Sequence, residues 1–142
     1  MRSKKILVLM LVVLGASLII GCSTISQTVT PRDSLKVDQA LIGHWINSTG
    51  SPEYYFSDTG LTKVDKGGST TNLTYVILKS NDSENTINIR VNNPNDLIQG
   101  EDMREIRFST DKKTITETVS LLGIKISENN YTYVDSKTKP AN

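Results

Sequence analysis

Residues 103–120 read MREIRFSTDKKTITETVS, and the alternation of apolar and polar residues is clear in this stretch. Ile106 and Phe108 fall on one face of its first half, and Ile115 and Val119 fall on one face of its second half. A two-residue period of this kind indicates β-strands with one buried and one solvated face. The Thr-Asp-Lys sequence between the halves suits a tight turn, so the stretch predicts an antiparallel hairpin.

Strands of the same kind recur on both sides of this hairpin. Thr, Val, Ile and Tyr dominate from Gly43 onward, and turn motifs such as SDTG at 57–60 and KGGS at 66–69 come at short intervals. We predict eight strands, at 43–47, 53–57, 61–65, 71–79, 85–91, 103–110, 113–120 and 129–135. Consecutive half-buried strands with short connections predict an all-β fold, an antiparallel up-and-down meander that closes into a small, roughly eight-stranded barrel.

The N-terminus carries the pattern of a secretion signal. Three basic residues lie among the first five, and an uncharged, mostly apolar run follows at 6–20. That run has the length of a signal-peptide core and is short for a helix that spans a bilayer. The alternatives are an ordinary signal peptide followed by an incidental cysteine, and an uncleaved N-terminal anchor helix.

The apolar run ends in Ile19-Ile20-Gly21-Cys22, which resembles the bacterial lipoprotein signal, or lipobox. The resemblance implies cleavage between Gly21 and Cys22 and a diacylglycerol thioether on the sulfur of Cys22. Two or three acyl chains on one residue are enough for stable attachment to a membrane. Because Cys22 is the only cysteine, its acylation leaves no thiol for a disulfide, a metal site or a nucleophile.

These motifs divide the chain into four parts. We assign 1–21 to a lipoprotein signal peptide, 22–34 to the lipidated N-terminus and a flexible tether, 35–138 to the barrel domain and 139–142 to a C-terminal tail. Between the tether and the barrel, Asp33 or Ser34 is expected to cap a short helical turn that runs through Ala40.

The charge balance narrows the range of partners. The chain holds 16 basic and 15 acidic residues, and three of the basic ones belong to the signal segment. The remaining chain is close to neutral, which argues against a nucleic-acid partner. It also argues against attachment to the membrane through a polybasic patch, and no cofactor is expected.

The first predicted strand carries a second resemblance. The sequence LIGHW at 41–45, followed shortly by YYFSDTG, resembles the first signature of the calycins, the lipocalins and their bacterial lipocalin-like relatives. Only Gly43 and Trp45 match that motif. The resemblance implies a barrel in which Trp45 seals one end against an arginine from a late strand, while the opposite mouth binds a hydrophobic small molecule. The last predicted strand holds no arginine, and Arg104 and Arg107 lie two strands earlier.

No set of side chains predicts a catalytic or metal site. His44 is the only histidine, and alternation places it opposite Trp45, where we expect it to be solvated. Glu53, Glu105 and Glu117 lie on separate strands, and nothing in the sequence pairs them for acid–base work. We therefore predict that the protein is not an enzyme.

The tyrosines and one apolar tetrapeptide are the candidates for binding. Four tyrosines are selected as contacts for a ligand or a partner: Tyr55, Tyr75, Tyr131 and Tyr133. Inside the barrel they would line a pocket, and outside it they would form a partner surface or ordinary cross-strand pairs. Leu73, Tyr75 and Ile77 are expected to share a face. The LLGI sequence at 121–124 is either core or an exposed docking patch.

The sequence thus favours a lipid-anchored lipoprotein of the cell envelope whose barrel is a non-catalytic binding or interaction module. The expected partners are the membrane, through the lipid on Cys22, and another envelope protein. The main alternative is a lipocalin-like carrier of a small hydrophobic ligand, and an enzyme is the remote one. Ser23, rather than an aspartate, follows the cysteine. By the sorting pattern of two-membrane bacteria this favours the outer membrane, and in a one-membrane bacterium the expected place is the outer face of the plasma membrane.

Overall fold

A computed structural model describes residues 30–94 and 102–141, and in them it confirms the predicted fold. Eight antiparallel strands form one closed up-and-down barrel in the order β1 to β8. The strands are β1 Gly43–Asn47, β2 Glu53–Phe56, β3 Gly60–Val64, β4 Thr70–Asn81, β5 Thr86–Asn92, β6 Asp102–Phe108, β7 Thr114–Leu121 and β8 Ile124–Asp135. Gly21 and Cys22, and with them the predicted signal and lipidation site, lie outside the described residues.

A short N-terminal segment precedes the barrel and covers one of its ends. It consists of a 3-10 turn at Arg32–Ser34 and a helix, α1, at Val37–Leu41. The backbone N–H of Val37 donates to Oδ1 of Asp82 in the β4–β5 turn over 2.8 Å. We call this the helix end of the barrel, and it also holds the β2–β3 and β6–β7 turns. The opposite, distal end holds the turns at 48–52, 65–69 and 122–123.

The interior is one contiguous cluster of buried side chains. Its members come from all eight strands and from α1: Val37, Ala40, Leu41, Trp45, Tyr54, Phe56, Leu61, Leu73, Tyr75, Ile87, Ile89, Val91, Ile106, Phe108, Ile115 and Tyr131. The inward positions of the hairpin at 103–120 are those that its alternation predicts. Burial of this apolar and aromatic surface is the main favourable term in the stability of the fold.

The strands are staggered around the barrel, as closure requires, so two hairpins extend beyond their neighbours. The pairing of β3 with β4 covers only residues 70–74 of β4. The pairing of β1 with β8 covers only residues 131–135 of β8. Among the residues that the structure describes, 75–81 of β4 and 124–129 of β8 therefore have a paired strand on one side only.

Two local features differ from the sequence expectations. β8 begins at Ile124 rather than at residue 129, because the β7–β8 hairpin continues to a tight turn. Ile77 is 44% exposed instead of sharing the buried face of Leu73 and Tyr75. Ile77 still lies opposite the buried Ile89, and its exposure follows from the stagger, because no described strand flanks the other side of β4 at this point.

The segments on either side of the predicted barrel domain both lie against the barrel. The 3-10 turn at Arg32–Ser34 falls in the segment assigned to the tether, and the described fold extends back to it. At the other terminus, residues 139–141 line a groove on the outer surface of β3 and β4, together with Thr62 and Asn72. In the described part of the chain, no helix has the length and apolar character needed to cross a bilayer.

Candidate functional site

The helix end is closed around Trp45. The indole is fully buried, and its N–H donates to the carbonyl oxygen of Leu41 in α1 over 2.8 Å. Phe108 and Tyr133 pack edge-on against it, with ring centroids 6.0 and 5.4 Å away. This geometry explains why the first strand needs a large aromatic residue with one polar atom at this position.

The cation beside Trp45 is Arg32, which the sequence analysis did not select. Its guanidinium carbon lies 3.4 Å from the centre of the Tyr133 ring and 5.2 Å from that of Trp45. The resemblance implied an arginine from a late strand, but this one comes from the 3-10 turn before the barrel. Neither Arg104 nor Arg107 takes that place.

Arg32 also fastens the N-terminal segment to the barrel. Its Nε donates to the carbonyl oxygen of Lys112 over 3.0 Å, and its Nη2 donates to that of Ala40. The ammonium of Lys112 returns a hydrogen bond of 2.8 Å to the carbonyl oxygen of Asp33. Burial lowers the pKa of Arg32, but a guanidinium stays charged at neutral pH. The cation therefore joins the 3-10 turn, α1, the β6–β7 turn and β8.

Gly43 is required by the close approach of β1 to β8. Its φ is +130°, a conformation that L side chains rarely adopt. A Cβ at this position would lie 2.7 Å from the carbonyl oxygen of Asp135 and 2.8 Å from Cε2 of Tyr133. The Gly43–Trp45 motif therefore sits at the seam where the barrel closes.

A buried ion pair occupies the interior. Nη1 of Arg104 lies 2.8 Å from Oε1 of Glu117, whose side chain is only 1% exposed. Asp102 accepts from the same guanidinium at two positions, over 2.8 and 3.2 Å. Alternation alone contained this signal, because Arg104 shares a face with Ile106 and Glu117 shares one with Ile115. The sequence predictions did not include this pair, and stated only that the glutamates are not paired with one another for acid–base work.

Two tyrosines complete the polar cluster. Tyr54 accepts from Nη1 of Arg104 over 3.2 Å, and Tyr131 donates to Oε2 of Glu117 over 3.2 Å. The two rings are stacked, with centroids 4.9 Å apart. Burial and then the charge of Glu117 raise the pKa of both tyrosines. The pKa of Arg104 is raised by its hydrogen bond to Asp102 and by Glu117, although burial alone would lower it.

The charged groups of this cluster are hydrogen-bonded to side chains of the same chain. Four polar side chains from β2, β6, β7 and β8 converge on the guanidinium or on Glu117, so both charges have partners inside the chain. A buried pair of this kind costs desolvation energy and is strongly destabilising to break on one side only. Its expected role is to fix which residues meet across the barrel.

His44 points away from Trp45 as predicted, but it is not solvated. Its side chain is 12% exposed, because the ring stacks on Tyr55 at 4.1 Å and its Nε2 lies 2.8 Å from Oε2 of Glu53. Tyr55 donates to the same carboxylate oxygen over 3.0 Å, and Asp135 lies 3.7 Å from Nδ1. The cluster links β1 to both of its neighbours on the outside of the barrel. In the described residues, no three His, Cys, Asp or Glu side chains form a group that could hold a metal ion.

The four selected tyrosines do not form one site. Tyr75 points inward and donates to the carbonyl oxygen of Ser57 over 2.5 Å, and burial raises its pKa to about 12. Tyr131 belongs to the interior ion-pair cluster, and Tyr133 packs on Arg32 at the helix end. Tyr55 is the outward one, covered by His44. Three of them therefore pack inside or at the closed end, and none is an open contact surface.

The β7–β8 hairpin carries the most exposed apolar side chains. We call residues 121–126 the distal hairpin. Leu122, Ile124 and Ile126 are 81, 69 and 61% exposed, and Leu121 is also exposed. Leu122 and Gly123 both have positive φ, as in the tight turns that suit the twist of a hairpin. The sequence left residues 121–124 as either core or an exposed patch, and in the structure Leu121, Leu122 and Ile124 are exposed.

No family model, no curated protein and no solved structure matches this chain. The geometry of the barrel and of the distal hairpin therefore carries the functional interpretation.

Proposed function

We propose that this chain is a lipid-anchored cell-envelope protein whose barrel is a non-catalytic interaction module that binds through its outside. One observation carries the proposal. The barrel interior is packed with its own side chains, while apolar residues of the distal hairpin are turned to solvent. Exposed apolar residues that cluster on a small domain mark interaction sites.

The interior supports a module rather than a carrier. A small-molecule site needs a concave, largely preformed cavity. Here Trp45, Phe56 and Tyr131 belong to a continuous buried cluster, and Arg104 and Glu117 occupy the middle of the barrel. A ligand would have to displace aromatic rings or separate a buried ion pair, and both changes cost several kcal/mol (about 3–5 each).

The proposed anchor is Cys22, and its support comes from the sequence. The basic start, the apolar run and the Ile19-Ile20-Gly21-Cys22 sequence occur in the order that the lipobox requires. The chain then enters the barrel at the helix end, where Arg32 packs. The distal hairpin lies at the opposite end, so the described segment that precedes the barrel, residues 30–42, does not cover it.

Anchoring is tested by Cys22→Ser in the full chain, expressed in a bacterial host. We expect the wild type in the membrane fraction, with the mass of a cleaved and acylated chain. The variant should be released or remain unprocessed, because an alcohol cannot replace the thiol as the lipid acceptor. A variant that is still processed and still sediments with membranes would remove the lipid from the proposal.

The interaction module is tested by photo-crosslinking in intact cells. A photoreactive residue at Leu122 should give a discrete crosslinked species, and the same residue at Val134 is the control. Val134 is exposed and lies near the other end of β8. Equal crosslinking from both positions, or none from Leu122, would contradict a docking role for the distal hairpin. Native mass spectrometry provides a further check, because a small molecule lost on denaturation would favour the carrier.

A further inference from the structure

We infer that the unpaired edge of β8 binds the same edge of a second copy of this chain, in an antiparallel two-fold pair. The inference rests on the proposed function, because it names the partner of the same distal hairpin. It begins with the stagger of the barrel, which leaves one long strand edge without a neighbour.

The unpaired edge runs from the turn to the first contact with β1. β8 begins at Ile124, directly after the β7–β8 turn. On the other side, the backbone N–H of Ser48 donates to the carbonyl oxygen of Asn130 over 2.9 Å, and Asn47 pairs with Tyr131. Within the described part of the chain, no strand pairs with residues 124–129 on that side. An exposed edge with apolar side chains is a template for another strand.

The length of this edge selects a single register. β8 holds one extra residue in this stretch, Ile126, between its pairs with Val119 and Ser120 of β7. The longest antiparallel pairing of the edge places Ile124 opposite Asn129 of the second copy and Ile126 opposite its Ser127. In that register the turn of one copy reaches the last residue of β1 in the other, because Asn47 pairs with Tyr131. A slip in either direction leaves edge residues unpaired at both ends, or drives the turn against the β1–β2 hairpin of the other copy.

The charges on the edge agree with the same register. Lys125 then lies opposite Glu128 of the second copy, and two-fold symmetry makes this pair occur twice. The two side chains already meet within one copy, where Nζ of Lys125 lies 2.6 Å from Oε2 of Glu128. A slip of three residues would instead place Lys125 opposite Lys125, or Glu128 opposite Glu128. Like charges directly opposite each other destabilise a strand pair.

The pairing also covers the apolar side chains that the single copy leaves exposed. Ile124 and Ile126 lie within the paired segment, and Leu122 at the tip comes beside the second copy near its Tyr131. Antiparallel pairing directs the two helix ends away from each other. From Cys22 to residue 30 the chain spans at most about 28 Å, so both lipids can enter one bilayer when the dimer lies along its surface.

Charge reversal in the full chain tests the register. We would purify the protein in mild detergent and measure its mass by sedimentation over a range of concentrations. The wild type should be a concentration-dependent dimer. Lys125→Glu and Glu128→Lys should each weaken it by about tenfold or more, because each places two like-charged pairs across the edge. The double variant, Lys125→Glu with Glu128→Lys, should restore it to within about threefold.

The matched control is Lys63→Glu, which reverses a charge in an exposed ion pair on β3, where Lys63 lies 2.9 Å from Asp65. It should leave the dimer unchanged. Urea unfolding of each variant checks that all of them are folded. The inference would be overturned if the wild type stayed monomeric. It would also be overturned if the single reversals weakened the dimer no more than the control does, or if the double variant dimerised as weakly as the single variants.

The two proposals fail in different ways. A monomer that still sediments with membranes, and still crosslinks from Leu122 to a different protein, overturns the second copy and leaves the interaction module. A dimer with the predicted charge dependence in a chain that never acquires a lipid removes the anchor and supports the β8 pairing.

Discussion

Replacement of Arg32 by alanine tests how the helix end is closed. The guanidinium stacks on Tyr133 at 3.4 Å, near Trp45, and donates to the carbonyl oxygen of Lys112 over 3.0 Å. A partly desolvated cation–π contact is worth about 0.5–2 kcal/mol, and a hydrogen bond from a charged donor about 1.5–3 kcal/mol. These contacts are lost together and do not add fully. We expect the free energy of unfolding to fall by about 3 kcal/mol.

The assay for Arg32→Ala is urea unfolding followed by the fluorescence of Trp45, the only tryptophan. With a slope of roughly 1–3 kcal/mol per molar urea for a domain of this size, the midpoint should fall by about 1–3 M. Trp45 lies at the site of the change, so backbone circular dichroism provides an independent second reading. Arg32→Lys keeps the charge but loses the planar stacking, and it should cost about half as much.

The matched control is Arg107→Ala. Arg107 is exposed and lies 3.4 Å from Glu105 in a surface ion pair, so its loss should cost less than about 1 kcal/mol. The reasoning would be refuted if Arg32→Ala unfolded within about 0.5 kcal/mol of the wild type. It would also fail if the two alanine variants were equally destabilised, since the helix end would then not depend on this cation.

Three further changes test the seam, the interior and the outer surface. Gly43→Ala should lower the free energy of unfolding by about 2 kcal/mol or more, whereas Gly50→Ala, whose Cβ meets nothing within 4 Å, should cost about 1 kcal/mol. Glu117→Leu should lower the free energy of unfolding by about 3 kcal/mol, and adding Arg104→Leu should restore most of that loss. A double variant as unstable as the single one would contradict a paired role for the two charges. Burial and Glu53 raise the pKa of Tyr55 to about 12 from 10.0. Its neutral form thus stabilises the fold fully below pH 10, and this contribution is lost as the pH rises to 12. A Tyr55→Phe variant that lost stability in urea at the same rate over this range would contradict that assignment.

The strands could be predicted because they depend on local alternation. On β5, Ile87, Ile89 and Val91 are all buried, and their position on one face follows directly from the two-residue period. The order of strands followed as well, because short turns permit only neighbouring hairpins. A similar rule placed His44 on the outside, but alternation gives the direction of a side chain and not what covers it.

The features that the sequence did not predict depend on contacts between residues far apart in the chain. Arg32 is separated from Lys112 by 80 positions, and no local pattern indicates that a residue before the barrel packs at its seam. The exposure of Ile77 depends on where β3 ends beside β4, which is a property of the stagger. The inward direction of Arg104 and Glu117 could have been predicted, because each alternates in phase with a buried isoleucine of its own strand. It was not predicted, because charged residues are commonly assigned to the solvated face.

The pairing of β1 with β8 has a consequence for how the chain acquires its structure. β1 is the first strand of the barrel, yet its second partner begins at Tyr131, so the barrel closes only after the last strand is available. Contacts of such long range make folding slow relative to helical proteins of similar size, and loop closure opposes them until the last strand docks. During synthesis, a chain that lacks β8 would present an open strand edge at β1. We therefore expect folding to be a late, all-or-none event, and a truncation before Tyr131 to leave an aggregation-prone chain rather than a smaller stable domain.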